Sequence, residues 1–151
     1  MSNDELSVFL SEWSFWARPD QLPPAGNWTT WLLLGGRGAG KTRAGAEWIR
    51  MRVREQDPSL AARHIALIGE TLAAVRAVMV EGPSGILSVS PEHERPRFIS
   101  SRNMLIWPNG AKAQLFSSTR PASLRGPQFD TAWCDELSKW RNDQMTWDML
   151  Q

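Results

Sequence analysis

Cysteine, histidine and tyrosine are scarce in this chain of 151 residues, which has one cysteine, two histidines and no tyrosine. One cysteine cannot form an internal disulfide, and three soft ligands are too few for a four-ligand structural zinc site. No apolar run approaches the roughly 18–20 residues that a membrane-spanning helix needs. The acidic N-terminus lacks the basic region of a signal peptide. The sequence therefore predicts a domain without a disulfide, a zinc site or a membrane span.

Net charge is also small. Seventeen basic and sixteen acidic side chains give a formal net charge of +1. This balance excludes a chain that clamps nucleic acid through its overall charge, although a local basic patch is compatible with it. The hydrophobic fraction of 42% is ordinary for a globular protein. The length corresponds to about one domain at the usual ~150 residues.

Hydrophobic patterning predicts strands that alternate with helices. Residues 28–34 (WTTWLLL) are apolar, aromatic and β-branched, which is typical of a buried strand in a parallel sheet. Further strands are predicted at 64–69 and 131–134, and Asn109-Gly110 between two strand-like runs predicts a hairpin. Helices are predicted at 6–16, 41–55, 71–80 (with Thr71 as N-cap) and 143–151. This order predicts an α/β fold with a mostly parallel sheet, flanking helices and an inserted hairpin.

A glycine-rich loop follows the first predicted strand. The motif G-x-x-x-x-G-K-[ST] is matched at every fixed position by Gly35, Gly36, Arg37, Gly38, Ala39, Gly40, Lys41 and Thr42. Glycines allow backbone N–H groups to curl around a polyphosphate, and the helix that begins near Lys41 directs its positive dipole end at the same anion. Lys41 would reach the β- and γ-phosphates, and Thr42 would place a hydroxyl on Mg²⁺. The predicted strand before and helix after the motif favour nucleotide binding over a glycine turn without a ligand.

Two carboxylates follow the last predicted strand, at Asp135 and Glu136. In ATPases with such a loop, an Asp at this place supports Mg²⁺, and a following Glu can act as general base on the attacking water. A surface acidic pair at a strand end is the alternative. With the complete loop upstream we favour Asp135 as a metal ligand and Glu136 as the base. Asp130 is interpreted as a strand-entry residue, and Cys134 as a small buried hydrophobic residue.

Four strings of residues resemble one known family, the large terminase subunit of tailed bacteriophages. They are WLLLGGRGAGKTRAGAEW (31–48), EGPSGIL (81–87), WPNG (107–110) and SLRGPQFDTAWCDE (123–136). The resemblance covers residues 13–151 and is greatest to the branch found in prophages and gene transfer agents. It implies a P-loop NTPase fold of the RecA-like, additional-strand catalytic-glutamate class. It also implies an ATPase motor that packages double-stranded DNA, with the glycine-rich loop as Walker A and Asp135 as Walker B.

The resemblance further implies partners and a location. Such subunits use ATP and Mg²⁺, form a ring on the portal protein and work with a small terminase subunit. They act in the cytoplasm of the bacterial host, docked on the procapsid, without a membrane. Residues 28–151 would be the ATPase domain, and residues 1–27 an N-terminal helix and linker. Because the family's nuclease has no counterpart here, the chain is expected to be the front portion of a larger protein with an incomplete sheet.

Three more candidate side chains come from the resemblance alone. Arg37 lies where the family often has a Walker A arginine, and Arg125 where some members supply an arginine finger to the neighbouring subunit. Either guanidinium could neutralise charge on the transferred phosphoryl group, and a solvated surface arginine is the alternative for each. Gln21 lies where family members have a glutamine that contacts adenine, although a plain loop residue is favoured.

Two other functions remain open at the level of the sequence. A different ATP-dependent nucleic-acid motor, such as a helicase, would need a second RecA-like domain. A truncated prophage remnant would bind nucleotide without productive turnover. The intact set of Lys41, Thr42, Asp135 and Glu136 favours an active site over such a remnant.

Overall fold

A five-stranded sheet forms the centre of the computed structural model, which describes residues 1–140 and 142–151. The strands are β1 (His64–Gly69), β2 (Arg97–Ile99), β3 (Met104–Ile106), β4 (Lys112–Ser117) and β5 (Thr131–Cys134). Their order in the sheet is β2-β3-β4-β1-β5. Strand β1 pairs in parallel with β4 and β5, whereas β3 pairs antiparallel with β2 and β4. The chain is therefore a mixed α/β protein, and its predicted strands at 64–69 and 131–134 are confirmed.

The prediction of a mostly parallel sheet is wrong, since the sheet has as many antiparallel pairings as parallel ones. The predicted hairpin is the physical reason. Asn109 and Gly110 reverse the chain between β3 and β4, and Gly110 has the positive φ of +91° that this turn requires. Trp107 N closes the turn by donating to the carbonyl of Ala111 at 2.9 Å. So short a turn places its two strands antiparallel, and β2 continues the ladder outward.

Residues 28–34 do not form the predicted strand. They have no regular secondary structure, and Leu34 is 80% exposed. Trp28 and Trp31 instead contact Trp48 of the following helix, with ring centroids 6.4 and 6.5 Å from that indole. The prediction is wrong because the aromatic side chains bury their surface on a helix and not in the sheet. Within the described residues, β5 consequently pairs with β1 alone.

The described residues also form five helices, which confirm the predictions at 41–55, 71–80 and 143–151. They are α1 (Asn3–Ser11), α2 (Lys41–Arg54), α3 (Leu72–Ala74, continued by a π-helical turn Val75–Val80), α4 (Ile86–Val89) and α5 (Asp143–Leu150). The Thr71 hydroxyl caps α3 by accepting from Ala74 N at 3.0 Å. In this part of the chain no helix combines the length and apolarity needed to cross a bilayer.

The first helix differs from its predicted bounds of 6–16. It begins earlier because Ser2 and Glu5 form a capping box that satisfies two backbone N–H groups. It ends at Ser11, and a 3₁₀ turn, Trp13–Phe15, follows. No residue of α1 is buried, whereas Trp13 is only 7% exposed. The buried side chain that packs this segment on the rest of the fold therefore lies in the turn after α1.

Strand β1 contributes to a core on each face of the sheet. Ile65 and Leu67 lie in one core together with Ile49 of α2. Ala66 and Ile68 lie in a second core, against which residues of α5 pack. This division follows from the alternation of side chains along a strand. The central strand is thus covered by α2 on one face and α5 on the other.

Helix α2 also approaches β5 closely. Gly45 of α2 lies against the indole ring of Trp133 in β5, and a Cβ atom at position 45 would collide with that ring. Trp133 is 7% exposed, so the ring has little room to move away. The contact brings the first turn of α2 beside the carboxyl end of β5.

We expect Gly45→Ala to destabilise the fold, although alanine is the better helix former by about 1 kcal/mol. The added methyl group would collide with Trp133, and overpacking of this kind costs about 1–3 kcal/mol. Urea unfolding should show a lower midpoint than the wild type. Gly36→Ala is the control, because a Cβ atom there meets nothing within 4 Å. An unchanged or higher midpoint for Gly45→Ala would contradict the contact.

Candidate functional site

The glycine-rich loop turns directly into the N-terminus of α2. Gly38 and Gly40 have φ angles of +74° and +79°, in the left-handed region that favours glycine. Gly40 is the N-cap residue of α2, and no side chain caps this helix end. The first N–H groups of a helix have no partner within it, so this end offers backbone donors and a positive dipole end to an anion.

Lys41 holds the loop together from within. Its Nζ donates to the carbonyls of Gly35 and Gly36, at 2.6 and 2.9 Å. The two glycines lie at the start of the loop, so the ammonium group spans it from the first helical residue back to its beginning. A Cβ atom at position 35 would come within 2.8 Å of the Ala39 side chain, so the loop closes tightly on itself.

The acidic pair lies at the end of β5. Asp135 N donates to the carbonyl of Ile68 at 3.0 Å, which extends the parallel pairing of β5 with β1 by one bond. Asp135 is half-buried, whereas Glu136 is exposed and has a φ of +53°, which is uncommon for a residue other than glycine. The left-handed backbone ends the strand and turns the chain away from the sheet directly after the two carboxylates.

Electrostatics link the acidic pair to the loop. Burial and the neighbouring Glu136 carboxylate raise the pKa of Asp135 above its ordinary value of 3.8. The positive charges of Lys41 and Lys139 oppose this rise. The contact of Gly45 with Trp133 is the geometric counterpart, since it sets the helix that begins at Lys41 against the strand that leads to Asp135.

Few residues near the loop and the acidic pair could bind a metal, and those that could would bind it through oxygen atoms. Within residues 1–140 and 142–151, no group of three or more His, Cys, Asp or Glu side chains could do so. A cation at this site would rely on the Asp135 carboxylate, the Thr42 hydroxyl and oxygens of a ligand. Thr42 and Asp135 are both half-buried. This is the ligand set that suits Mg²⁺, which is bound through one or two carboxylates and substrate phosphates.

Arg37 and Arg125 lie on the surface. Both are exposed, and neither side chain takes part in an ion pair or hydrogen bond among the described residues. Arg125 follows a 3₁₀ turn, Pro121–Leu124, and its backbone N donates to Ala122 O at 3.1 Å. The fold of a single chain leaves both guanidinium groups exposed to solvent.

A segment that the sequence predicted to be the end of the first helix and the start of a linker contacts the loop. Residues 12–21, which we call the strap, run from the end of α1 to the loop. The Arg18 guanidinium donates to Ala39 O at 2.6 Å, and the Gln21 amide donates to Gly40 O at 3.2 Å. Gln21 is only 5% exposed, and its Oε1 accepts from Arg18 N at 3.1 Å. No spacing rule reveals such contacts in the sequence, because they join residues 19 and 21 positions apart.

Two further predictions concern residues near the strands. The Asp130 carboxylate accepts from the backbone N of Arg63 and His64, at 2.9 and 3.0 Å, so its prediction as a strand-entry residue is confirmed. Burial and the charge of Asp135 raise the pKa of the Cys134 thiol to about 12. A raised pKa disfavours the thiolate, which is the reactive form of cysteine, and Cys134 packs as a partly buried residue against the second core, as its prediction as a small hydrophobic residue requires.

Comparison with known proteins gives one family. The model of the terminase large subunit, T4likevirus-type, N-terminal, matches residues 32–151. The matched range contains the glycine-rich loop, α2, the whole sheet and the acidic pair. Neither a curated protein nor a solved structure matches the chain. The resemblance drawn from the residues is confirmed at the level of this family.

We expect Asp135→Asn to raise the free energy of unfolding at pH 7. Because the folded chain raises the pKa of Asp135, the stability that this group contributes is present below its unfolded-state pKa and lost as pH rises through the folded-state value. The advantage of the variant should therefore shrink as the pH is lowered towards 4. Urea unfolding at several pH values measures the trend.

Asp57→Asn is the matched control, with the opposite sign. Hydrogen bonds from Ser59 lower the pKa of Asp57, so its ionised form stabilises the fold and the variant should lose stability at pH 7. If both variants lose stability at pH 7, the electrostatic description of the acidic pair is wrong.

Proposed function

This chain belongs to the T4likevirus-type family of terminase large subunits, within their N-terminal region, and we propose that it binds ATP with Mg²⁺ at the glycine-rich loop and hydrolyses it. Membership gives the chain a role in phage DNA packaging. In that role, hydrolysis would power the movement of double-stranded DNA into a procapsid. The single observation that carries the proposal is the contact of Gly45 with Trp133, which sets the helix that begins at Lys41 against the strand that leads to Asp135.

The residues present fit such a ligand. The loop has left-handed glycines where backbone N–H groups must converge, and the helix end behind it has no side-chain cap. Lys41 supplies a positive charge on a flexible stem, at present bonded to two carbonyls of the loop. These features support a phosphate-binding loop of the P-loop NTPase type.

Each of the other residues has a definite chemical task. Thr42 and Asp135 would hold Mg²⁺, which when bound neutralises charge on the phosphate oxygens. Water attacks the γ-phosphorus, the bond to the bridging oxygen breaks to give ADP and phosphate, and the Glu136 carboxylate accepts the proton of the water. Arg37 and Arg125 would neutralise charge on the transferred phosphoryl group.

Partners follow from the family in general terms, as DNA and components of the packaging machinery. We extend this to a homo-oligomeric ring on the portal protein, with a small terminase subunit, in the cytoplasm of the bacterial host. In a ring, an exposed Arg125 could reach the ATP of a neighbouring copy. We also propose that the chain is related to the branch of the family found in prophages and gene transfer agents.

A second candidate is a domain that binds nucleotide without turnover. One observation favours it: within the described residues neither Arg37 nor Arg125 has a side-chain partner, so a single chain fixes neither of these two guanidinium groups in place. The two candidates agree on ATP binding and differ on hydrolysis. The variants below separate them.

We expect Lys41→Ala to weaken ATP binding in the presence of Mg²⁺ by about tenfold or more, since bonds to a charged group contribute roughly 1.5–3 kcal/mol. Equilibrium titration with a fluorescent ATP analogue measures the affinity. Lys112→Ala, an exposed lysine at the start of β4, is the control and should bind like the wild type. Equal affinities of the wild type, Lys41→Ala and Lys112→Ala for the ATP analogue would mean that the glycine-rich loop does not bind ATP.

We expect Glu136→Gln to retain ATP binding and to lose hydrolysis by about 10²–10⁴-fold, the usual contribution of a general base. Phosphate release measures turnover, and the titration above measures binding. Glu92→Gln, an exposed loop carboxylate, should leave both unchanged. A wild type that binds without turnover favours the second candidate, and normal turnover by Glu136→Gln means that Glu136 is not the base.

A further inference from the structure

The strap is fastened to α2 at its beginning. The Arg50 guanidinium donates to the carbonyl of Ser11, directly before the strap, and Arg54 lies 3.6 Å from Glu12. The Arg43 guanidinium lies 5.1 Å from the centre of the buried Trp13 ring. These contacts fix one end of the strap along the helix that carries Lys41 at its start.

The other end of the strap contacts the loop at two successive carbonyls. Arg18 donates to Ala39 O, and Gln21 donates to Gly40 O. The Gly40 carbonyl also accepts from Ala44 N, the first bond of α2, at 3.0 Å. Both lone pairs of that oxygen are thereby used, and its direction is set from the helix and from the strap together.

The planarity of the peptide unit links the direction of each of these carbonyls to the direction of the N–H group that follows it. In a trans peptide the C=O and the following N–H point in opposite directions. Bonds to the carbonyls of Ala39 and Gly40 therefore aim the N–H groups of Gly40 and Lys41 away from the strap. These two N–H groups lie at the cap and first residue of α2, where an anion would be bound.

Both ends of the Gln21 amide bond to neighbouring backbone groups. Its Nε2 donates to Gly40 O while its Oε1 accepts from Arg18 N. The side chain is 5% exposed, so it faces the loop and not the solvent. The strap and the loop therefore set the direction of this amide together.

We propose that Arg18 and Gln21 are positioning residues that pre-organise the loop for phosphate, and that Gln21 does not read the base. The inference rests on the proposed function, because it concerns how the same loop meets its ligand. Pre-organisation raises affinity by reducing what must be ordered on binding. The effect should therefore be the same for every ligand that presents a triphosphate.

The test compares the affinities of the full chain for ATP, GTP and inorganic tripolyphosphate, each with Mg²⁺. Gln21→Met keeps the side-chain volume and removes both hydrogen bonds. We expect it to weaken all three ligands by the same factor, about tenfold. Gln56→Met is the matched control, because Gln56 Nε2 also donates to a backbone carbonyl, at 3.2 Å, but far from the loop. Amide exchange at Gly40 and Lys41 should be faster in Gln21→Met than in the control.

Arg18→Ala gives a second reading that does not depend on a buried side chain, since Arg18 is 54% exposed. We expect the affinity of Arg18→Ala for each of the three ligands to be about threefold lower than that of the wild type. Arg18→Lys, which keeps a donor and the charge, should restore most of it. Arg76→Ala, which breaks a similarly exposed ion pair with Glu81, should bind like the wild type.

Each outcome decides the matter. A loss confined to ATP means that Gln21 reads the base, and wild-type affinities for Gln21→Met and Arg18→Ala mean that the strap does not position the loop. Either result overturns the inference while Lys41→Ala still weakens binding. If Lys41→Ala has no effect on any ligand, the proposed function fails first. If Gln21→Met does not fold, the comparison of Arg18→Ala with Arg18→Lys decides whether the strap positions the loop.

Discussion

The candidate site depends on how closely helix α2 approaches strand β5. Gly45 has no side chain, so the helix backbone rests against the Trp133 ring. The parallel pairing of β5 with β1, continued by the bond from Asp135 N to Ile68 O, fixes the end of the strand at that level. The helix that follows the loop and the strand that precedes the acidic pair are thereby packed together, although they are distant in sequence. Without this contact, α2 would not hold the glycine-rich loop on the same side of β5 as the contact with Trp133.

The negative charge of Asp135 at the end of β5 opposes folding. Burial and the adjacent Glu136 disfavour ionised Asp135, and Lys41 and Lys139 offset this only in part. Glu136 also has a left-handed backbone that a residue other than glycine rarely adopts. A disfavoured charge and a disfavoured backbone conformation at the same strand end are typical of a functional site. A bound ligand of opposite charge would compensate for the charge.

Features with local determinants could be predicted from the sequence, and those with distant ones could not. The Asn109-Gly110 turn and the glycine-rich loop are specified within a few residues. Apolar composition predicted that residues 28–34 are buried in a sheet, but composition does not specify the burying surface, and Trp31 packs on a helix. Gln21 carried no signal for its bond to the loop, because that bond depends on where the chain returns after 19 residues.

The carbonyl groups of the loop are held from two sides, and the two sides differ in what a ligand can displace. Lys41 bonds to Gly35 and Gly36 from within, as an ammonium group that a triphosphate would attract. The strap bonds to Ala39 and Gly40 from outside, and one of its two donors, the Gln21 amide, is neutral and buried, so a triphosphate would not attract it. If the proposed function holds, Lys41 could exchange its carbonyl partners for phosphate oxygens while the bond from Gln21 to Gly40 stays in place. The N–H group of Lys41 would then already be aimed before the ligand arrives, which would reduce what binding has to order.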